Sequence, residues 1–465
     1  MRSSAELIVV THGAGAPIQP IALRENIATE EHLGTLLPLG ARLRRIFGPP
    51  NRLPGRLAGT DQEPTGADYL NYFTVGGAVY DLEAIADRLR ADDAVDGAYV
   101  KPGAEPPIAP QHSASRSYAE APAVTPDYRA RQGYLDAAPG GIDARWAWTR
   151  PGGRGTGVRV IDIEGAWLFS HEDLTQNQGG IIGGAATDDE GWRNHGTAVA
   201  GEISGDANAF GITGIAPDSV IRAVSIFGAG SAAAIRTAAD ALSPGDVILL
   251  ELHRPGPRYN FADRADQAGY IAIEWWPDDL AAVRYANSRG VIVVGAAGNG
   301  GENLDAAIYD TRPAGFPATW QNPFRAEDSG AIIVGAGAPP PGTHGRDHGP
   351  GRSRLAFSNY GSRVDTQGWG REVTTTAYGD LQGGSDEQYW YTDTFSGTSS
   401  ASPIVVGAIA CYQGIHAAGS GAHTPAEVRA RLRATGSPQT AAPNRPDTQR
   451  IGNLPNVRAM VGDTD

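Results

Sequence analysis

The chain has 465 residues and a formal net charge of −14 at pH 7. An acidic chain without long basic tracts is not expected to bind nucleic acid or an anionic membrane, and a single cysteine, Cys411, excludes an internal disulfide. No stretch reaches the roughly 18 apolar residues of a membrane span, and the first apolar run is too short for a secretory signal. The sequence therefore predicts a cytoplasmic protein, with secretion left open.

The first part of the chain, residues 1–105, predicts a small α+β domain. Residues 69–75 alternate apolar and polar side chains as a strand does, residues 81–91 carry one apolar helix face, and residues 96–102 return as a strand. A Pro/Ala/Ser-rich stretch, residues 106–126, predicts a linker.

The remainder, residues 127–465, predicts one α/β domain. Runs rich in Val and Ile predict buried strands at 158–161, 220–226, 246–250, 291–296 and 331–335. Helical stretches separate these runs, which indicates a mainly parallel sheet that is covered on both faces. Residues 404–412 predict a buried helix, and residues 424–436 predict a helix with Thr424 as its N-cap and Gly436 as its stop.

Three polar residues stand at the ends of predicted strands or at a helix start. Asp162, in VIDIEG, would end a buried strand, where a carboxylate is costly without a fixed partner. His195, in NHGTAVAGE, precedes a helix of small residues, and Asn299, in AAGNGG, offers an amide donor for an oxyanion. Taken singly, such residues are more often strand caps, structural histidines and turn residues.

The nine residues 395–403, FSGTSSASP, predict the position of a nucleophile. A short Ser/Gly run leads into an apolar helix, so Ser399 would lie at a helix N-terminus. Unpaired N–H groups and the helix dipole there stabilise an oxyanion. The alternative is a plain Ser/Gly loop that caps a core helix.

These blocks, in the order VIDIEG with HEDL, NHGTAVAGE, AAGNGG and FSGTSSASP, resemble the signature blocks of the subtilisin-like serine proteases. The resemblance covers most of residues 127–435. It implies Asp162 as the orienter, His195 as the general base, Ser399 as the nucleophile and Asn299 as the oxyanion donor.

The resemblance also implies a fold and an activity. The fold is an α/β three-layer sandwich with a mainly parallel central sheet, preceded by a small α+β domain. The activity is that of a serine endopeptidase, which hydrolyses peptide or protein substrates through an acyl-enzyme and needs no cofactor for its chemistry. In the family, a small N-terminal α+β domain acts as a folding chaperone and inhibitor, and residues 1–105 resemble such a propeptide. A permanently attached accessory domain is the alternative, and we expect a monomer.

Two other functions are possible on this fold, and one alternative concerns the identity of the catalytic base. A macrocyclase would pass the acyl group to an amine, and a silent binding protein would show a broken triad, which this chain does not. Sedolisin-type enzymes share a Ser-Gly-Thr-Ser run but use a glutamate base, for which Glu164 is the candidate. The block around His195 argues against that alternative.

The chain departs from the family pattern beside the predicted cleft. Where relatives have Ser-Leu-Gly-Gly, it has Glu-Leu-His-Arg. The residues expected to bind substrate are Glu251, Leu252, His253 and Gly298. Glu251 would select a basic substrate side chain, or would serve as a structural ion-pair partner. Two long loops, 255–283 and 376–394, carry aromatic residues that we expect to be mostly buried anchors.

A calcium site is also implied by the resemblance. The loop 205–213 and HEDL resemble the family's strong calcium site, with oxygen ligands of the kind that Ca²⁺ prefers. The expected ligands are Asp173, Asp206, Asn208, Phe210 and Ile212, and Gln132 corresponds loosely to a further ligand. The alternative is a surface loop without a metal.

Overall fold

The computed structural model describes residues 2–12, 20–48, 68–77, 81–108, 121–325 and 328–463. Most of the predicted linker, residues 109–120, lies outside these ranges.

The N-terminal unit is a four-stranded antiparallel sheet with two helices. Its elements are β1 (Glu6–Thr11), α1 (Pro20–Thr35), β2 (Arg42–Arg45), β3 (Tyr72–Gly76), α2 (Leu82–Arg90) and β4 (Val95–Lys101). The strand order is β2-β3-β1-β4. The apolar face of α2 packs on the sheet, where Ile85 and Leu89 meet Leu7 and Phe73. The predicted strand, helix and strand are confirmed, although residues 68–71 form a 3₁₀ turn rather than the start of β3.

The larger unit follows with alternating strands and helices. It begins with α3 (Ala144–Ala147), β5 (Arg159–Glu164), β6 (Gln178–Gly183), α4 (Glu190–Ser204), β7 (Val220–Ser225), α5 (Ser231–Ala241), β8 (Val247–Leu250), β9 (His253–Pro255) and β10 (Tyr270–Ala272). It continues with α6 (Pro277–Ser288), β11 (Ile292–Ala296), β12 (Ile332–Gly337), β13 (Thr366–Trp369), β14 (Val373–Thr376), β15 (Tyr391–Phe395), α7 (Thr398–Ala417), α8 (Pro425–Ala434) and α9 (Val457–Val461).

Seven of these strands form a parallel sheet in the order β13-β12-β11-β8-β5-β7-β6. The five central strands are those that the Val- and Ile-rich runs predict, because they are buried on both faces. The edge strands β6 and β13 were not predicted, since QGGIIG and TQGW lack a continuous apolar run.

Helices cover both faces of this sheet. The long apolar helix α7 packs with α3 and α4 on one face, and Cys411 is buried within it as predicted. The helices α5 and α6 cover the other face. The α/β three-layer class with a preceding α+β unit is confirmed. Thr424 caps α8 as predicted, and its side chain and that of Glu427 bond each other's backbone N–H in a capping box.

The N-terminal sheet packs against the α5 and α6 face of the larger unit. The ring of Tyr99 in β4 packs at a tilt against that of Phe316, with ring centroids 4.6 Å apart. Beside it, the fully buried Lys101 ammonium contacts Asp278 and Asp279 at the start of α6. The segment after β4, residues 102–108, then runs along the larger unit to the predicted active site.

Within the described ranges, none of the helices combines the length and the apolar character that crossing a membrane requires.

Candidate active site

His195 lies in α4, which begins at Glu190 and therefore earlier than the sequence suggested. Asp189 caps this helix by accepting a hydrogen bond from the Trp192 N–H at 3.0 Å. The imidazole is fully buried, and its Nδ1 lies 2.6 Å from Oε2 of Glu164. Its Nε2 has no hydrogen-bond partner among the described residues. The ring is thus held from one side, and its other nitrogen is free to accept a proton.

The carboxyl group in contact with His195 belongs to Glu164, the last residue of β5. Asp162, which was predicted for that role, lies two residues earlier in the strand and accepts a hydrogen bond from the Trp167 indole N–H at 2.7 Å. The sequence reasoning considered Glu164 only as a replacement for the histidine. The signal it missed is that residues two apart in a strand share one face, so both carboxyls reach the same place.

Burial dominates the electrostatics of these three groups. It raises the pKa of the Asp162 and Glu164 carboxyls well above their ordinary values. It lowers the pKa of His195 to about 3, and the nearby Asp162 opposes this shift. The imidazole is therefore neutral at neutral pH, as a general base must be.

Ser399 lies in the first turn of α7, directly after Thr398, with which the helix begins. The preceding Gly397 has a φ of 117°, which favours glycine and lets the chain turn sharply from β15 into α7. The Ser399 hydroxyl is buried and donates to the backbone carbonyl oxygen of Pro107 at 2.9 Å.

The neighbouring serines are engaged differently. Ser400 donates to the Trp369 carbonyl oxygen at 2.9 Å, and Ser402 donates to that of Thr398 at 2.8 Å. The Ser396 hydroxyl has no partner among the described residues. Of the four, Ser399 is therefore the one whose hydroxyl meets the peptide backbone in the cleft.

Asn299 lies beside the nucleophile, after β11. Its Oδ1 accepts hydrogen bonds from the N–H and the hydroxyl of Thr398, both at 3.0 Å. Its Nδ2 donates to Oε1 of Gln267 at 3.2 Å. Gly298, just before it, has a φ of 95°. The structure thus brings Asn299, Ser399 and His195 to one end of the sheet.

A segment of the chain itself occupies the cleft between these residues. Glu105 pairs antiparallel with His253 of β9, with N–H to carbonyl distances of 3.2 and 3.1 Å. Pro106 and Pro107 follow and are buried. Gln267, which the sequence did not single out, donates to Oε1 of Glu105 at 3.2 Å. His253 therefore contacts a peptide backbone, as was predicted for a substrate.

The other residues predicted to bind substrate lie deeper. Glu251 is fully buried and accepts a hydrogen bond from the Ser402 hydroxyl. Leu252 packs in the core below the cleft. Neither side chain lines an open pocket, so the contacts do not support selection of a basic substrate side chain by Glu251.

The aromatic residues of the two long loops are mostly anchors, as expected. Tyr270, Trp275 and Trp276 are buried, while Tyr259 is 43% exposed. The second loop is partly regular, because its last residues form β15 and pair with β14. In it, Tyr391 is buried and Tyr389 is exposed.

The acidic side chains predicted to bind calcium accept hydrogen bonds from the protein itself. Asp173 accepts hydrogen bonds from the Asn208 amide at 2.6 Å, from the Ile212 N–H at 2.7 Å and from the Tyr391 hydroxyl at 3.0 Å. Asp206 accepts from the N–H groups of Thr175 and Gln176 at 2.8 and 3.1 Å.

Two oxygens of Asn208 in this loop are also occupied. The side-chain oxygen of Asn208 accepts from the Phe210 N–H, and its carbonyl oxygen accepts from the Arg129 guanidinium. Gln132 pairs with the backbone of Thr213. In the described ranges there is no cluster of three His, Cys, Asp or Glu residues able to hold a metal. The calcium prediction is therefore not supported, because N–H and O–H donors occupy the side-chain oxygens of Asp173, Asp206 and Asn208.

Comparisons with known proteins agree with this geometry. A family model described as the subtilase family matches residues 170–452, which include His195, Asn299 and Ser399. The match begins after β5 and so leaves out both Asp162 and Glu164.

Individual relatives are similar over the same region. Subtilisin BL from Lederbergia lenta is 29% identical over 262 residues, which are 55% of this chain and 76% of that protein. Subtilisin from Bacillus pumilus is 27% identical over 285 residues, covering 60% of this chain and 84% of the relative. The aligned region spans only about half, 54%, of the alkaline protease from Alkalihalobacillus alcalophilus, at 28% identity.

A solved structure extends the likeness of fold to the N-terminal unit. Fervidolysin from Fervidobacterium pennivorans, a keratinolytic enzyme related to subtilisin, aligns with 99% of this chain and with 61% of its own, at a TM-score of 0.56 and 18% identity. The family match over more than half of the chain settles the classification. The chain belongs to the subtilase family and is a serine endopeptidase.

Proposed function

We propose that the chain hydrolyses peptide bonds with Ser399 as its nucleophile and His195 as its general base, through an acyl-enzyme. One observation carries the proposal: the Ser399 hydroxyl meets the peptide carbonyl of Pro107 at 2.9 Å, in a segment that pairs with His253 as an added strand. The Ser399 hydroxyl thus reaches the backbone carbonyl group of a peptide held in the cleft, which is the group that it would attack in a substrate.

The proton path follows from the contacts of His195. As Ser399 Oγ attacks the substrate carbonyl carbon, its proton passes to Nε2, the nitrogen that has no other partner. The imidazolium then gives that proton to the leaving amine. Water repeats the cycle on the ester and releases the acid. The carboxylate at Nδ1 stabilises the ring while it is charged.

The oxyanion formed in each step would lie at the start of α7. The Ser399 backbone N–H and the Asn299 Nδ2 are the proposed donors. In this structure Nδ2 donates to Gln267, which also contacts Glu105. Release of the segment around Glu105 would free Gln267 to move and Asn299 to donate to substrate.

Labelling with a fluorophosphonate and hydrolysis of a defined peptide test the proposal. Removal of the nucleophile of a triad enzyme lowers kcat about 10⁶-fold, so Ser399→Ala abolishes both signals. Ser396→Ala, at a hydroxyl with no partner among the described residues, is the matched control and keeps both. Product analysis must show the two hydrolysis fragments, because a ring closed on an amine would make the chain a transferase. Wild-type protein that is folded and processed but unlabelled would contradict the proposal.

We further propose that residues 1–105 act in cis as an inhibitory propeptide, with 106–126 as the processed linker and 127–465 as the catalytic domain. The support is the occupied cleft. Pro106 and Pro107 have no N–H, so they cannot donate the backbone hydrogen bonds that an extended substrate donates. The Ser399 hydroxyl also donates to Pro107 instead of reaching His195. The segment therefore blocks the cleft in an arrangement poor for cleavage.

Mass spectrometry of the active enzyme tests this second proposal. We expect activity to appear together with a new N-terminus between residues 108 and 127, while the Ser399→Ala chain stays at full length. Activity from a chain that is only full-length would show that the N-terminal unit is a permanent accessory domain.

A further inference from the structure

The hydrogen bonds around His195 assign its orienting carboxylate differently from the family pattern. We propose that Glu164, and not Asp162, orients His195, and that Asp162 is a protonated partner that donates a hydrogen bond to Glu164. The inference rests on the proposed function, since it deepens the account of the same base. Glu164 and Asp162 are positioning residues in this scheme, because neither touches the substrate.

The first support is the geometry of β5. Asp162 and Glu164 are two residues apart in this strand and so project from the same face. Glu164 stands nearer the end of the strand and has the longer side chain. Its Oε2 lies 2.6 Å from His195 Nδ1, the length of a strong hydrogen bond to a charged acceptor.

The second support is the surroundings of Asp162. Its Oδ2 accepts the Trp167 indole N–H at 2.7 Å, which fixes the carboxyl in place. Its Oδ1 and the Glu164 Oε1 receive no N–H or O–H donor from the described residues. A single proton shared between the two carboxyl groups satisfies both oxygens, whereas two negative charges would leave both buried and unpaired.

The effect of this one hydrogen bond on the two pKa values indicates which carboxyl group keeps the proton. A bond between the two side chains raises the pKa of Asp162 beyond the effect of burial. For Glu164 the same bond acts against the effect of burial on its pKa. Asp162 is therefore the carboxyl group that keeps the shared proton. The single negative charge lies on Glu164, beside the ring that becomes positive during catalysis.

The other carboxyls nearby make a second charge still less favourable. Glu251 is buried next to the pair, and burial and Glu164 both raise its pKa. Glu202 of α4 is buried with both oxygens unpaired among the described residues. In the described ranges, none of these four carboxyls has an ion pair with a lysine or an arginine. His195 is thus the one group that supplies positive charge here when it accepts the Ser399 proton.

Two amide substitutions separate the alternatives. In Asp162→Asn, the amide N–H still donates to Glu164 and the amide oxygen still accepts from Trp167, so we expect kcat/KM within about tenfold of the wild type. In Glu164→Gln, the charge is lost and the amide N–H favours the wrong imidazole tautomer. Loss of the equivalent charge in a triad lowers kcat about 10⁴-fold, and we expect a loss of that size with little change in KM.

The inference would be overturned if Asp162→Asn lost more activity than Glu164→Gln. A loss of about 10⁴-fold in Asp162→Asn would show that Asp162 carries the charge, whether or not Glu164→Gln is also impaired. Glu202→Gln is the control for removal of a buried carboxyl that does not contact His195, and its activity is expected to match the wild type. Thermal unfolding of each variant shows whether lost activity reflects lost folding.

The pH dependence of kcat/KM distinguishes the proposed hydrogen bond from a purely structural role of Asp162. Asp162→Ala removes the donor to Glu164, so the pKa of Glu164 rises and the acidic limb of kcat/KM shifts to higher pH, while Asp162→Asn leaves that limb in place. An unshifted limb in Asp162→Ala would contradict the hydrogen bond. An inactive wild type would instead refute the proposed function, so the two failures are distinguishable.

Discussion

The carboxyl groups at the domain interface and those behind His195 are equally buried, but only the first group has cations beside it. At the interface, Asp278 and Asp279 contact the Lys101 ammonium, and Asp279 lies 3.7 Å from the Arg254 guanidinium. Behind His195, Asp162 and Glu164 have no cation among the described residues other than the histidine itself.

The difference shows two uses of a buried charge. Paired charges at the interface attach the N-terminal sheet to α6, where Tyr99 adds a hydrogen bond to Asp278 at 2.9 Å. Behind His195, Asp162 keeps its proton in our proposal, because a second negative charge beside Glu164 has no compensation there. The first arrangement holds two units together, and the second leaves a site ready to accept one positive charge.

The largest effect on stability is expected when the interface loses its central cation. Lys101→Met leaves two buried carboxylates without their main partner, and breaking a buried ion pair in this way costs about 3–5 kcal/mol. Urea unfolding of the intact chain measures the loss. Arg88→Met, at an exposed arginine that donates to the Leu36 carbonyl oxygen, is the control. Equal stability of the two variants would show that the charges at the interface do not contribute to the free energy of unfolding.

A matched pair of carboxyl-to-amide changes compares the two regions directly. Asp278→Asn removes a charge that Lys101 needs, and a hydrogen bond to a charged group is worth about 1.5–3 kcal/mol. Glu202→Gln exchanges one unpaired neutral group for another and should change the free energy of unfolding by less than about 1 kcal/mol. A larger loss in Glu202→Gln than in Asp278→Asn would mean that Glu202 is ionised.

The dependence of stability on pH sharpens the same comparison. Burial raises the pKa of Glu202 well above its ordinary value of 4.5. The folded chain therefore holds this proton while the unfolded chain loses it, and stability falls as pH rises from 4.5 towards the folded pKa, by about 1.4 kcal/mol per unit. Glu202→Gln lacks this loss. Its melting temperature relative to the wild type should rise with pH over that window, and a constant difference would contradict the shift.

Much of the fold followed from the sequence because the signals were local. The Val- and Ile-rich strands, the cap at Thr424 and the four signature blocks each lie within a few adjacent residues. The edge strands β6 and β13 were missed because QGGIIG and TQGW mix apolar residues with glycine and polar residues, without a continuous apolar run.

The site was predictable only in part, for a related reason. The blocks indicated His195, Asn299 and Ser399, which the structure brings together. Which of two carboxyls reaches the imidazole depends on side-chain length and on the direction of α4, and neither can be read from spacing. The contact of Pro107 with Ser399 joins residues 292 positions apart, and nothing local indicates it.

The smallest effect on stability is expected when calcium is added or removed. The carboxyl group concerned, that of Asp173, is satisfied by neutral hydrogen-bond donors. Both oxygens of the Asp173 carboxyl group are occupied, because Asn208, Ile212 and Tyr391 donate neutral hydrogen bonds to them. Burial raises its pKa to about 7. A calcium ion would have to displace these donors, so saturating calcium or a chelator should leave the melting temperature unchanged. A clear rise with calcium, lost in Asp173→Asn, would show that the loop opens to bind the ion.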